Sequence, residues 1–274
     1  MAEKHIDAET GSPASGGESL PLLLAEIDGG IGTLVFNRPG ELNVLTMDML
    51  QALGEQLAAW REEPAVRVIV LAGQGKAFSA GHDLKALAGA PADEVNALFD
   101  LCTEVMEAVR LHPKPVIARV QSLAVAAGCQ LVASCDLAVA SSEARFGTTG
   151  IKAGLFCSTP MVPLSRVVPT KKSLEMLLTG DLISSEEAER VGLLNRVVAP
   201  EDLEAATRDL AGRIAARSPY AVRLGKEAFH RQRSLDMAGA YGVGKEAMVT
   251  NILAEDGQEG IAAFLEKRPP SYKH

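Results

Sequence analysis

Three short apolar runs, Val66 to Leu71, Val116 to Val120 and Asp136 to Ala140, most constrain how this chain folds. None alternates polar with apolar residues, so each is expected to be a strand covered on both faces. Helical periodicity separates the first two from their neighbours. Met47, Leu50, Leu53, Leu57 and Trp60 recur at helical spacing, and Glu94 to Leu111 reads as a second helix stopped by Pro113 and Pro115. Buried strands alternating with helices call for βαβ crossovers and a mainly parallel sheet, an α/β fold.

The ends of the chain read differently. Asp28-Gly29-Gly30 between Leu22 to Glu26 and Ile31 to Phe36 predicts a β-hairpin, closed off by Asn37-Arg38-Pro39. Beyond about Leu164 strand signals nearly vanish. Ser185 to Val191, Glu201 to Arg217, Ala221 to Arg233 and Leu235 to Leu253 predict successive helices. Ser184 or Ser185 caps the first of these, with Glu187 available to point back. The expected organisation is a leader over residues 1–20, a core over 21–200 and a helical C-terminal module over 201–274.

Composition narrows the function classes. With 274 residues, 47% hydrophobic, the chain is long enough for a substantial core. A net charge of −8 counts against a nucleic-acid partner. No apolar run has the roughly 20 residues of a membrane span. Cys102, Cys129, Cys135 and Cys157 form no CxxC pair and have no histidine at zinc-ligand spacing. They are expected to be buried free thiols in a reducing compartment, with no metal site. The leader lacks the basic start of a secretory signal and is too acidic for a typical mitochondrial presequence, which points to a cytoplasmic protein.

Two turns carry the chemistry. Ala80-Gly81-His82 follows the first buried strand, and Ala126-Ala127-Gly128 follows the second and opens a helix. Small residues there let a ligand approach the main chain, and amides at a helix N-terminus carry partial positive charge. Two such amides converging on a carbonyl oxygen stabilise the oxyanion of acyl chemistry.

The segment Lys76-Ala-Phe78-Ser79-Ala80-Gly81-His82-Asp83-Leu84, taken with Ala126 to Asp136, resembles the crotonase (enoyl-CoA hydratase/isomerase) family. Asn37-Arg38-Pro39, Asn43, Thr179-Gly180, Gly192 to Val198 and Phe264 to Pro269 extend the likeness over residues 22 to 272. Gly81 to Lys85, Ala126 to Asp136 and Gly154 to Pro160 resemble a narrower group, the enoyl-CoA hydratase domain-containing protein 3 branch. The resemblance implies a spiral of repeated ββα units followed by a helical assembly module, self-associating as a homotrimer or hexamer. It implies an acyl-CoA thioester as partner, with CoA entering as part of the substrate, no permanently bound cofactor, and a place in fatty acid metabolism. By position, the oxyanion-hole amides are those of His82 and Ala127, the second usually a glycine. CoA is expected near Val44, Ala80 and Leu84, with Lys85 beside its phosphates. Phe264 and Lys267 match the aromatic and lysine that cover CoA from a neighbouring subunit.

This chain departs from the family at the reacting groups. Hydratases of the family carry glutamates where Gln130 and Gly150 stand here. Hydration needs one group to take a proton from water and another to protonate the α-carbon. An amide orients water but does not accept its proton, and glycine offers nothing. No Asp or Glu lies between Ala144 and Lys171, so a shifted alignment does not restore the second carboxylate. Three readings follow: an isomerase, hydrolase or decarboxylase using His82, substrate groups or water; a non-catalytic acyl-CoA binding or regulatory protein; or a hydratase in which Gln130 holds a water activated by another group. Cys157 is a pocket-lining candidate with no base beside it in sequence, and Asp83 and Asp136 are expected to be structural.

Overall fold

The computed structural model describes residues 20–273, so the expected leader lies outside the described residues except for Leu20. Strands β1 (Leu23–Asp28) and β2 (Ile31–Phe36) pair antiparallel. Gly29 and Gly30, at φ 58° and 83°, make the turn between them. Helix α1 (Met47–Arg61) is capped by Thr46, whose hydroxyl accepts from the Met49 N–H. It leads to β3 (Val68–Gly73), which lies parallel to β2.

From β3 onward the chain winds in ββα turns. β3 is followed by β4 (Ala77–Ser79), the single turn α2 (Leu84–Leu87) and α3 (Ala92–Arg110). β5 (Val116–Val120) is followed by β6 (Leu123–Val125) and α4 (Ala127–Ser134). β7 (Leu137–Ser141) is followed by β8 (Arg145–Gly147), a 3-10 turn at Thr149–Ala153 and α5 (Met161–Val167). The first strand of each turn joins a six-stranded sheet, ordered β1-β2-β3-β5-β7 and then a last strand, β10 (Arg196–Val198). The second joins a four-stranded sheet, β4-β6-β8 with β9 (Ile183–Ser184). This is the expected spiral.

The strands of the first sheet are covered on both faces, as their apolar runs require. Ile69 and Leu71 face one cluster with Phe36, Phe78, Phe146 and the inner faces of α1 and α3. Val68 and Val70 alternate to the other face. There they meet Ile117, Val139 and the residues Leu203, Ala211 and Ala215 of α8 (Leu203–Ala215). Each fully buried aliphatic side chain contributes about 1.5–3 kcal/mol, so this two-faced burial dominates the stability of the sheet.

Several boundaries differ from the sequence reading. Strands do occur beyond Leu164, because β9 and β10 are too short to show periodicity. Helix α6 (Thr170–Thr179) precedes them. Ser184 rather than Ser185 caps α7 (Ser185–Arg190), accepting from the Glu187 N–H, while the Glu187 carboxylate pairs with Lys172 at 2.7 Å. After α9 (Pro219–Gln232) and α10 (Met237–Leu253) comes a further helix, α11 (Glu255–Glu266), which sequence reasoning missed.

One polar anchor ties α9 to the core. Lys226 Nζ donates to Asp136 Oδ2 at 2.5 Å and to the Lys114 carbonyl at 3.2 Å. The same Asp136 oxygen accepts from the Val116 N–H at 2.7 Å, which confirms the structural role expected of Asp136. Burial holds the Lys226 ammonium below its ordinary pKa, and the Asp136 carboxylate opposes that shift. Lys114 Nζ in turn donates to the carbonyls of Trp60 and Glu63, capping the C-terminal end of α1. Removing one partner of a buried pair leaves the other charge uncompensated. Lys226→Ala is therefore expected to lower stability by about 3 kcal/mol, measured as a reduced urea midpoint at unchanged m-value.

Candidate functional site

The site forms where the end of β4 meets the start of α4. Asn43 organises the approach: its side-chain amide donates to the carbonyls of Gln74 and Ala77, and its Oδ1 accepts from the Arg38 N–H at 2.9 Å. This fixes the loop Leu42–Leu45 against the turn after β4. The Ala80 N–H then donates to the Leu42 carbonyl at 3.0 Å, and the Leu45 N–H to the Gly81 carbonyl at 2.7 Å. Val44 and Ala80, both expected beside CoA, are thereby brought together. Leu84 and Lys85 follow directly, at the start of α2, which is capped by Asp83 through its Oδ1 and the Lys85 N–H at 2.9 Å. Leu84 is 52% exposed, and no ion pair involves Lys85 among the described residues.

The turn after β4 packs backbone to backbone against α4. A Cβ on Gly81 would lie 2.9 Å from Ala126 Cβ and 3.0 Å from Ala127 N, and its φ is +86°. A Cβ on Gly128 would lie 2.2 Å from the Ser79 carbonyl oxygen. Only glycine fits at either position. The result sets the N–H groups of His82 and Ala127 on adjoining segments, and neither has a protein acceptor among the described residues. Ala127 is the first residue of α4, where an N–H has no intrahelical partner.

The uncommon backbone conformation at this turn falls on Ala126, at φ 50° and ψ −121°. Such a conformation in a non-glycine residue costs about 1–3 kcal/mol. It is held by the Ala126 N–H, which donates to the Gly147 carbonyl at 2.9 Å. Sequence reasoning had no signal for this beyond the run of small residues.

Gln130 lies one turn into α4, 4% exposed, with its N–H bonded to the Ala126 carbonyl. Its Oε1 is buried without a partner among the described residues, as are Thr148 Oγ1 beyond β8 and His82 Nε2. Gly150 is enclosed. A Cβ there would lie 2.6 Å from the Leu155 carbonyl oxygen and 2.8 Å from Cys157 Sγ. The chain turns back over it, with the Leu155 N–H donating to the Gly150 carbonyl at 3.0 Å. Cys157 is buried, and desolvation pushes its thiol up; Cys129 is pushed up to about 12 for the same reason. Neither is an activated nucleophile.

His82 is the imidazole at the turn, next to the capping Asp83. Its Nδ1 lies 3.0 Å from the Leu45 carbonyl, and its ring meets Phe99 edge-on at 5.2 Å. Burial lowers its pKa, partly offset by the bond to Leu45.

Phe264 and Lys267 sit apart, at the end of α11. Phe264 is 83% exposed beside a shallow cavity of about 380 Å³ shared with Ala221, Ile261 and Tyr272, none of them part of the turn or of α4. A cavity of about 1270 Å³ lies between the core and α9, lined by Lys114, Arg217, Tyr220, Lys226 and His230 among others, and by none of the expected site residues. Among the described residues no cluster of three or more His, Cys, Asp or Glu could hold a metal ion.

A model of the enoyl-CoA hydratase/isomerase family matches residues 26–274. The chain belongs to that family. Mouse enoyl-CoA hydratase domain-containing protein 3 is 46% identical over 262 residues, covering 95% of this chain and 87% of its own. The crystal structure of the human protein of that name superposes with a TM-score of 0.90 at 45% identity, covering 92% of this chain and 100% of the other. A Mycobacterium smegmatis enoyl-CoA hydratase structure gives 0.90 at 48% identity, covering 92% and 99%. These likenesses bear out the crotonase fold and the narrower branch. They overturn the cytoplasmic address: the mouse, rat and human relatives are named as mitochondrial proteins. Acidity of an N-terminal stretch was too weak a signal to assign a compartment.

Two outcomes follow from this geometry. Ala126→Gly relieves the positive φ and is expected to raise stability by about 1 kcal/mol, read from thermal and urea unfolding. Gln130→Glu combined with Gly150→Glu is expected not to create a hydratase. The second side chain would displace the segment over residues 155–157, so the double variant should lose stability and stay inactive on crotonyl-CoA.

Proposed function

We propose that this protein binds acyl-CoA thioesters, with the thioester oxygen between the N–H groups of His82 and Ala127, and catalyses a CoA-thioester reaction other than efficient hydration. The observation that carries this reading is the pair of acceptor-free amides on segments locked together at Gly81 and Gly128. Preorganised donors of this kind contribute about 10²–10³-fold each to reactions that build charge on a carbonyl oxygen. Isomerisation, hydrolysis and decarboxylation of acyl-CoA all build such charge. CoA enters as part of the substrate, along Val44, Ala80 and Leu84, with Lys85 toward its phosphates.

Self-association as a trimer or hexamer belongs to the same reading. Helices α9 and α10 bury no residue within the chain, and Met237, Tyr241 and Leu253 are each 74% exposed. Phe264 and Lys267 then serve a neighbouring subunit's CoA.

Hydration is disfavoured because each missing acid/base group costs about 10²–10⁴-fold. The same loss, at Gln130 and Gly150, favours one second reading: a non-catalytic acyl-CoA binding protein. A time course with crotonyl-CoA at high protein concentration, alongside butyryl-CoA titration by calorimetry, tests both. The expected outcome is butyryl-CoA binding without rapid formation of 3-hydroxybutyryl-CoA. Rapid hydration would overturn the carboxylate argument, and absence of binding would overturn the site.

A further inference from the structure

We infer that the side chain of His82 is the proton-transferring group of this site, so that the protein catalyses α-proton exchange on saturated acyl-CoA thioesters. This rests on the reading that His82 and Ala127 hold the thioester oxygen.

The ring's tautomer is fixed by its surroundings. A carbonyl oxygen only accepts, so the contact between Nδ1 and the Leu45 carbonyl at 3.0 Å places the ring hydrogen on Nδ1. The neutral ring then carries its lone pair on Nε2. Desolvation disfavours the charged form, so the ring is neutral near pH 7 and able to accept a proton. Nε2 is itself buried and has no hydrogen-bond partner among the described residues. Leaving a buried acceptor unsatisfied costs about 1–3 kcal/mol, and such costs gather where a ligand supplies what is missing. The neighbouring ring is that of Phe99 on α3, at an interplanar angle of 72°. Phe99 is itself only partly buried, so the ring stands at the edge of the core and not deep within it.

Position supports the assignment. In the proposed reading the main-chain N–H of His82 holds the carbonyl oxygen, and the α-carbon is bonded to that carbonyl carbon. One residue thus presents a donor to the oxygen and a base on the same turn. Other groups nearby do not compete. Cys129 and Cys157 are held as thiols, Asp83 is occupied as the cap of α2, and Gln130 and Thr148 are not bases.

The step balances without a co-reactant. Nε2 takes a proton from the α-carbon, and the C–H electron pair forms a carbon–carbon double bond to the carbonyl carbon. The carbonyl π pair moves to oxygen, where the two N–H groups hold it. The imidazolium exchanges its proton with solvent and returns one to the α-carbon, regenerating the thioester.

The test uses the whole chain and butyryl-CoA in deuterium oxide, with mass spectrometry of the recovered thioester. The wild type is expected to introduce deuterium at the α-carbon. His82→Ala keeps the main-chain N–H, so butyryl-CoA should still bind within a few-fold by calorimetry while exchange falls about 10²–10⁴-fold. Added imidazole should restore part of it. His82→Gln, which keeps a donor for the Leu45 carbonyl, should bind and fail to exchange in the same way. Binding without exchange in the wild type, or exchange at the wild-type rate in both variants, overturns the assignment and leaves the binding site standing. Absence of binding overturns both.

Discussion

The close approach of the β4 turn to the first turn of α4 is the contact on which the site depends. The neighbouring parallel strands β4 and β6 cannot bring their following residues this near if a side chain intervenes. At Gly128 a single methyl group would overlap the Ser79 carbonyl oxygen, and at Gly81 it would press on Ala126 and Ala127. Such overlap displaces backbone, since protein interiors have little free volume to absorb it. The rest of the fold serves this contact. The six-stranded sheet, buried on both faces, is the rigid frame, and the short strands of the second sheet carry the turns to one place.

The large features were legible from residues alone because they are large energetic terms. Continuous apolar runs mark β3, β5 and β7, and the spacing of Leu50, Leu53 and Leu57 marks α1. Strands β4, β6 and β8 escaped because three residues carry no period. The extra helix α11 escaped because its charged first turn, Glu255 and Asp256, reads as a loop until one sees Asp256 buried against Ser218, whose hydroxyl donates to it at 2.5 Å. The segments that carry His82 and Ala127 stand out by motif, whereas the strain at Ala126 and the enclosure of Gly150 depend on contacts between residues distant in sequence or on an uncommon backbone angle. Periodicity does not encode either.

Polar groups sort into two kinds in this molecule. Asn43 is buried, Asp136, Lys226 and Lys114 are partly so, and all four are satisfied, several of them by main-chain carbonyls of helix or strand ends. They lock elements to one another. Gln130, Thr148 and His82 each keep a buried atom without a partner. Gln121, His230 and Asn251 share that property elsewhere in the fold, so the site is marked by its orphaned atoms together with the two free amides and not by an orphaned atom alone.

The enclosure of Gly150 also bears on how that position tolerates change. With the Leu155 carbonyl oxygen and Cys157 Sγ closed over it, any side chain there is incompatible with the surrounding loop as it stands. A substitution has to come together with a reshaped segment over residues 155–157, because a close-packed interior leaves no slack to absorb even one carbon. The glycine and the loop above it therefore behave as one unit, and neither can be redesigned without the other.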